Sequence, residues 1–75
     1  MSQTIATLTF TGHGPHELRI MRDGVLVDER LVSEMAGVGA WDRGLQVLGF
    51  MRVGDWQPWD GGRGRCCRVS ERSAT

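Results

Sequence analysis

The dipeptide Asp23-Gly24 is the feature that most constrains how this chain can fold. It separates two runs rich in apolar residues, 17–22 and 25–31. A two-residue type I′ turn needs positive φ at both central positions, and Asp-Gly is one of the pairs that satisfy this need best. The sequence therefore predicts a β-hairpin with strands near 16–22 and 25–32.

The two-residue turn also predicts a register for the hairpin. Ile20 is expected to face Val27 on one side of the sheet, and a cross-strand pair of this kind contributes roughly 0.2–1 kcal/mol. A shift by one residue would turn every side chain to the other face. The other expected pairs are Arg22 with Val25, Met21 with Leu26, Arg19 with Asp28, Leu18 with Glu29, and Glu17 with Arg30.

Three further strands are predicted from alternation and from turn residues. Residues 4–11 alternate threonines with apolar residues and are dense in β-branched side chains, which is typical of a strand. A second strand is predicted over residues 50–59, with a bulge or kink at Gly54 and its end at Pro58. A glycine-rich turn over 60–64 then leads into a last strand over 65–70.

A helix is predicted between these groups of strands. Val38, Trp41, Leu45 and Leu48 are spaced by three, four and three residues, which places them on one face of a helix over 40–48. Before it, we expect either an additional first turn or a break near Gly37–Gly39. Ser33 could cap an early start with Glu34 in the first turn, and Gly49 stands where a C′ glycine belongs.

The order β-β-β-α-β-β predicts a small α+β fold, in which one helix packs on one face of an antiparallel sheet. Residues 1–70 would form a single domain, and residues 71–75 a disordered polar tail. The sheet face under the helix is expected to hold Leu8, Phe10, Leu18, Ile20, Val25 and Val27.

Composition limits the classes of function. The 75 residues carry no net charge, so no overall field draws the chain to nucleic acid or to a membrane. No apolar run approaches the ~20 residues of a membrane span, and we see no secretory signal. Two adjacent cysteines do not form a disulfide framework, so reduced thiols and a cytoplasmic location are expected.

A protein-binding surface is our first functional prediction. A core this small gives only about 3–5 kcal/mol of stability, so added burial against a partner would help it. Tryptophan and methionine are enriched at interfaces. The candidate contact residues are Met21, Leu26, Trp56 and Trp59. The partner would be another protein or a second copy of the chain, which would make a homodimer.

Nucleic-acid binding is the alternative. All nine basic residues are arginines, which we attribute mainly to a GC-rich genome. Arginines nevertheless lie close to Trp56 and Trp59 in the C-terminal hairpin, and aromatic side chains beside arginines can stack bases and hold phosphates. The residues concerned are Arg52, Arg63, Arg65 and Arg68.

Metal binding and catalysis have weaker signals. His13 and His16 have ligand-like spacing, but Cys66 and Cys67 would project to opposite faces of a strand and chelate one ion poorly. No nucleophile elbow or phosphate loop occurs, and so short a chain has little room for a pocket of ~300–1,000 Å³. We therefore expect a non-enzymatic protein without a metal, cofactor or small-molecule substrate.

Overall fold

A computed structural model describes residues 3–33 and 37–72 of the chain. The strands are β1 (Thr4–Thr9), β2 (His16–Arg22), β3 (Val25–Val32), β4 (Phe50–Arg52), β5 (Gln57–Trp59) and β6 (Gly64–Glu71). One α-helix, α1 (Val38–Val47), and one 3₁₀ turn (Asp60–Gly62) complete the described elements. Glu34, expected in a first helical turn, and residues 73–75 of the expected tail lie outside the described residues.

The strands form one antiparallel sheet of six strands with α1 packed on one face, so the predicted α+β fold is confirmed. The strand order is β3-β2-β1-β6, and the far edge of β6 pairs with β5 near its start and with β4 near its end. Strand β1 is therefore central, and β3 lies at one edge. The ten residues of α1 are too few to cross a membrane, and the described residues contain no longer helix.

The Asp23-Gly24 turn is confirmed. Both residues have positive φ, 53° and 82°, and the strands on either side keep the predicted bounds. Of the predicted pairs, Arg22–Val25 and Met21–Leu26 are present.

Beyond Met21 the predicted register is wrong. Val27 is an extra residue in β3, so Ile20 pairs with Asp28 rather than with Val27, and Arg19 pairs with Glu29 rather than with Asp28. The predicted pairs Leu18–Glu29 and Glu17–Arg30 are replaced by Leu18–Arg30 and Glu17–Leu31. A two-residue turn fixes only the pairs next to it, and a β-bulge one step further shifts all the later ones.

The core lies between α1 and the sheet. Leu8, Leu18 and Ile20 are fully buried there as predicted, and Phe10 is half-buried against them. Val25 and Val27, which were predicted to join them, are instead exposed. Both valines belong to the edge strand, and α1 contacts β3 only toward its end, where Val32 is buried. The remaining buried apolar residues are Ala6, Leu45, Phe50, Cys67 and Val69.

Helix α1 begins at Val38 with Gly37 as its N-cap, which agrees with the expected break near Gly37–Gly39. The alternative, a first turn capped by Ser33, falls on residues 34–36, which lie outside the described residues. Its end agrees with the sequence, because Gly49 has a φ of 89° and follows the C-cap residue Leu48. On the predicted apolar face Leu45 is buried, Trp41 and Leu48 are half-buried, and Val38 is exposed.

Three other predicted boundaries change. The single strand expected over 50–59 is wrong, because residues 53–56 are not strand and divide it into β4 and β5. Arg52 holds this connection, since its guanidinium donates to the Gly54 carbonyl oxygen at 3.2 Å and pairs with Asp55 at 3.3 Å. Strand β1 ends at Thr9 rather than at residue 11, and β6 extends one residue further at each end than predicted.

Candidate protein-interaction surface

One face of the sheet is covered by α1 and the other is not. Side chains alternate along each strand, so Ala6 and Leu8 point toward the helix while Thr7 and Thr9 point away from it. The register carries this alternation across the sheet. The uncovered side, called here the open face, holds Ile5, Thr7, Thr9, Glu17, Arg19, Met21, Leu26, Glu29, Leu31, Trp59, Gln57, Cys66 and Arg68.

A groove of about 330 Å³ crosses the open face. Its lining is formed by Trp59 together with Met21 and Leu26 of the hairpin, and by Thr7 and Arg19. Thr7 is itself buried, although no described element of the fold lies over it. The larger side chains around Thr7 therefore supply its cover and leave an apolar depression between them.

Trp59 reaches this position because its cross-strand neighbour is a glycine. Trp59 pairs with Gly64 of β6, and a Cβ atom on Gly64 would stand 3.0 Å from Trp59 Cε3 and would overlap the Leu8 carbonyl oxygen. Only a residue without a side chain fits between the indole and β1. Gly64 thus lets the ring lie close against the backbone of the sheet, with 36% of its surface exposed.

Charged residues flank the groove on the hairpin side. Arg19 binds two carboxylates, with Nη2 at 2.9 Å from Glu17 Oε2 and Nε at 3.4 Å from Glu29 Oε2. All three side chains are more than two-fifths exposed, so each pair contributes little stability, ~0–1 kcal/mol. Two carboxylates thus surround one guanidinium at this edge of the groove, and Arg30 lines the depression beside them.

The structure brings together three of the four predicted partner-binding residues, Met21, Leu26 and Trp59. Trp56 lies elsewhere. Its ring packs edge-on against Trp41, with centroids 5.6 Å apart, and its Nε1 donates to Asp42 Oδ1 at 2.9 Å. These contacts place Trp56 on the helix side of the sheet, where it extends the core.

The four arginines of the nucleic-acid alternative are divided between surfaces. Arg52 pairs with Asp42 of α1 at 3.2 Å, and Arg65 lies 5.3 Å from the centre of the Phe10 ring, both on the helix side. Arg68 points to the open face, and Arg63 is exposed just after the 3₁₀ turn. The structure therefore does not gather them into one basic patch with Trp56 and Trp59.

The cysteines and histidines also lie apart. Cys67 points into the core, and burial raises the pKa of its thiol to about 12, which keeps it protonated and unreactive at neutral pH. Cys66 is half-buried on the open face, whereas the His16 ring packs on Phe10 at 4.7 Å on the other face. Within residues 3–33 and 37–72, no group of three His, Cys, Asp or Glu side chains could hold a metal ion.

Comparison of the chain with protein-family models, with curated proteins and with solved structures found no match. The candidate site is therefore assigned only from the contacts, burial and charges of its residues. Sequence reasoning missed Thr7 and Arg19 as lining residues, and Glu17 and Glu29 as their charged neighbours. The alternating threonines of β1 were a signal for the uncovered face, but the Arg19–Glu29 pair depends on the bulge at Val27, which the sequence does not predict.

Proposed function

We propose that this chain is a small, non-enzymatic and cytoplasmic protein-interaction domain, whose open face binds a partner protein. The observation that supports this most is the groove in which Trp59, Met21 and Leu26 come together on a sheet face that no described element covers. Tryptophan, methionine and arginine are the residue types enriched at interfaces. Both cysteines are free thiols, which supports a location in the reducing environment of the cytoplasm.

The shape of the groove favours a protein over a small molecule. At about 330 Å³ it lies at the small end of ligand pockets, ~300–1,000 Å³, and it is open rather than enclosed. Arg19 is its one charged lining residue and is already bound by Glu17 and Glu29. A shallow apolar site beside a rigid aromatic ring suits one protruding side chain of another protein.

The charges indicate which segment would bind. The carboxylates of Glu17 and Glu29 are both more than two-fifths exposed beside the groove, so a basic residue on the partner would find an accessible carboxylate there. We therefore propose that the occupant is an extended segment with an aliphatic or aromatic anchor for the groove and a basic residue close to it.

Selection from a phage-displayed library of random linear peptides tests the proposal. Peptides enriched on the wild-type protein should carry an apolar anchor next to Arg or Lys. Their affinity should fall about tenfold or more for Trp59→Ala and Met21→Ala, because a central aromatic anchor contributes ~2 kcal/mol or more. Val53→Ala is the matched control, since Val53 is exposed but lies outside the groove lining.

Two results would contradict the proposal. One is that no peptide is enriched on the wild-type protein over the Trp59→Ala variant. The other is tight binding of labelled DNA or RNA at ~50 mM salt that weakens steeply with added salt and is lost in an Arg63→Gln/Arg68→Gln variant. That second result would support the nucleic-acid alternative in place of peptide binding.

A further inference from the structure

The edge strand β3 is the most exposed element of the sheet. Seven of its eight residues are exposed, and only Val32 is buried. Val25 is 66% exposed and Leu31 60%, although both are large apolar residues. A long edge strand with apolar side chains and free backbone groups is a template for pairing with another strand.

The opposite edge of the sheet is closed to such pairing. It is formed by β4 and β5, which have three residues each, and the middle residue of β5 is Pro58. Proline has no amide hydrogen, and short strands with proline are a common means of blocking a sheet edge. Within the described residues, β3 is therefore the only edge long enough to accept a partner strand.

We infer that two copies of this chain pair antiparallel through β3 and join their sheets into one. The inference rests on the proposed function in that it names one partner of the interaction domain, a second copy, but it places that contact at the edge of the sheet and not in the groove. Pairing of β3 with β3 uses the one available edge of each copy. The assembly is then an isologous dimer that stops at two chains.

The charge order in β3 selects the register. Asp28, Glu29 and Arg30 follow one another, and neither Asp28 nor Arg30 has an ion pair among the described residues. With Glu29 at the twofold axis, Asp28 of each copy faces Arg30 of the other, which forms two opposite-charge cross-strand pairs. The two Glu29 side chains meet at the axis, each with its own Arg19 at 3.4 Å.

The backbone amide of Glu29 has only a local hydrogen bond, which a second β3 strand could replace. Its amide donates to the side chain of the preceding residue, Asp28 Oδ1, at 2.8 Å. A carbonyl oxygen of the second strand would replace that local bond and free the Asp28 carboxylate to pair with Arg30 of the second copy. The bulge at Val27 and the three charged residues hinder pairing with unrelated strands, whereas an antiparallel copy supplies the complementary order.

Sedimentation equilibrium on the full chain tests the dimer. The wild type should move with concentration from 8.3 kDa toward twice that mass. Asp28→Arg and Arg30→Asp should each weaken dimerisation by about tenfold or more, because each puts like charges opposite one another. The double variant Asp28→Arg/Arg30→Asp should restore it, and Arg72→Asp, at an exposed position outside β3, should leave it unchanged.

A cross-link tests the register. In a Cys66→Ser background, Glu29→Cys should oxidise rapidly to a disulfide-linked dimer, because residues opposite each other on paired strands are within bridging distance. Val25→Cys is also exposed but would lie far from its copy, so it should form no disulfide-linked dimer. Far-ultraviolet circular dichroism confirms that each variant is folded.

The dimer is overturned if the wild type remains monomeric at all concentrations, and its contact through β3 is overturned if Asp28→Arg leaves the mass unchanged. The register is overturned if Val25→Cys cross-links as fast as Glu29→Cys. These outcomes are separate from the peptide-binding proposal. Asp28→Arg should still bind the selected peptides, and Trp59→Ala should still dimerise, so failure of one proposal can be told from failure of the other.

Discussion

Gly44 of α1 lies so close to Leu18 of β2 that a Cβ atom on the glycine would stand 2.9 Å from Leu18 Cδ2. The same atom would be 3.3 Å from Val32 Cγ2. Leu18 is fully buried and Val32 nearly so, which leaves neither side chain room to move aside. The glycine sets the distance between helix and sheet.

Gly44→Ala should therefore destabilise the fold although alanine favours helix. Overpacking costs ~1–3 kcal/mol and exceeds the gain in helix propensity, ~1 kcal/mol, so we expect a net loss of about 1 kcal/mol. Gly39→Ala is the matched control in the same helix, because nothing lies within 4 Å of its Cβ position. It should raise the free energy of unfolding in urea. A Gly44→Ala protein as stable as Gly39→Ala would contradict the close packing.

The two C-terminal tryptophans should differ in their effect on stability. Trp56 packs against Trp41 and donates to Asp42, so Trp56→Ala should lower the free energy of unfolding by about 2–4 kcal/mol. Trp59→Ala should cost only about 1 kcal/mol, since the ring lies on an open surface. Chemical denaturation followed by circular dichroism measures both. Equal losses would show that both rings are structural.

Gly64→Ala should be the most damaging glycine substitution. The added methyl would overlap the Leu8 carbonyl oxygen, which belongs to the rigid backbone of the central strand β1. We expect a loss of about 3 kcal/mol or more, comparable to severe core substitutions. Gly54→Ala serves as the control, because its Cβ position is open and its φ is not positive. Thermal unfolding compares the two, and similar melting temperatures would argue against the Trp59–Gly64 arrangement.

The buried thiol of Cys67 should make the protein sensitive to alkali. Its pKa rises from the ordinary 9.0 to about 12 because burial disfavours the thiolate. The folded state then holds its proton while the unfolded state loses it, so stability is unaffected below about pH 9 and falls between about pH 9 and 12. Each pH unit in that range lowers the free energy of unfolding by up to about 1.4 kcal/mol.

The composition makes this alkaline effect easy to assign. The chain contains neither lysine nor tyrosine, so few other groups titrate between pH 9 and 12. Urea unfolding at a series of pH values should show the decline in the wild type and in Cys66→Ala. It should be much reduced in Cys67→Ala. A decline of the same slope in all three proteins would mean that Cys67 is not its source.

Local chemistry in the sequence predicted the hairpin and the helix end well. The predicted turn at Asp23-Gly24 and the predicted helix end at Gly49 both need positive φ, and all three residues have it in the structure. The bulge at Val27 could not be read in the same way, because no residue type at that position requires it. It follows from the fit of β3 to β2, with Glu29 against Arg19 and Val32 in the core.

The separation of Trp56 from Trp59 could be predicted only in part. Residues three apart in a regular strand point to opposite faces, and the two rings do lie on opposite sides of the sheet. The interruption of the strand over residues 53–56 was not predicted. The role of Gly44 could not be predicted from the sequence either, because it depends on a contact with Leu18, more than twenty positions away in the chain.

The place of β6 has a consequence for synthesis on the ribosome. This strand pairs with β1, β4 and β5, and it is the last to be translated of the four. Until residues 64–71 emerge, the nascent chain has β1 unpaired along one side, and β4 and β5 have no strand to pair with. The first hairpin can close early, but the fold is completed only after that late strand arrives, and chaperones have that interval in which to engage it.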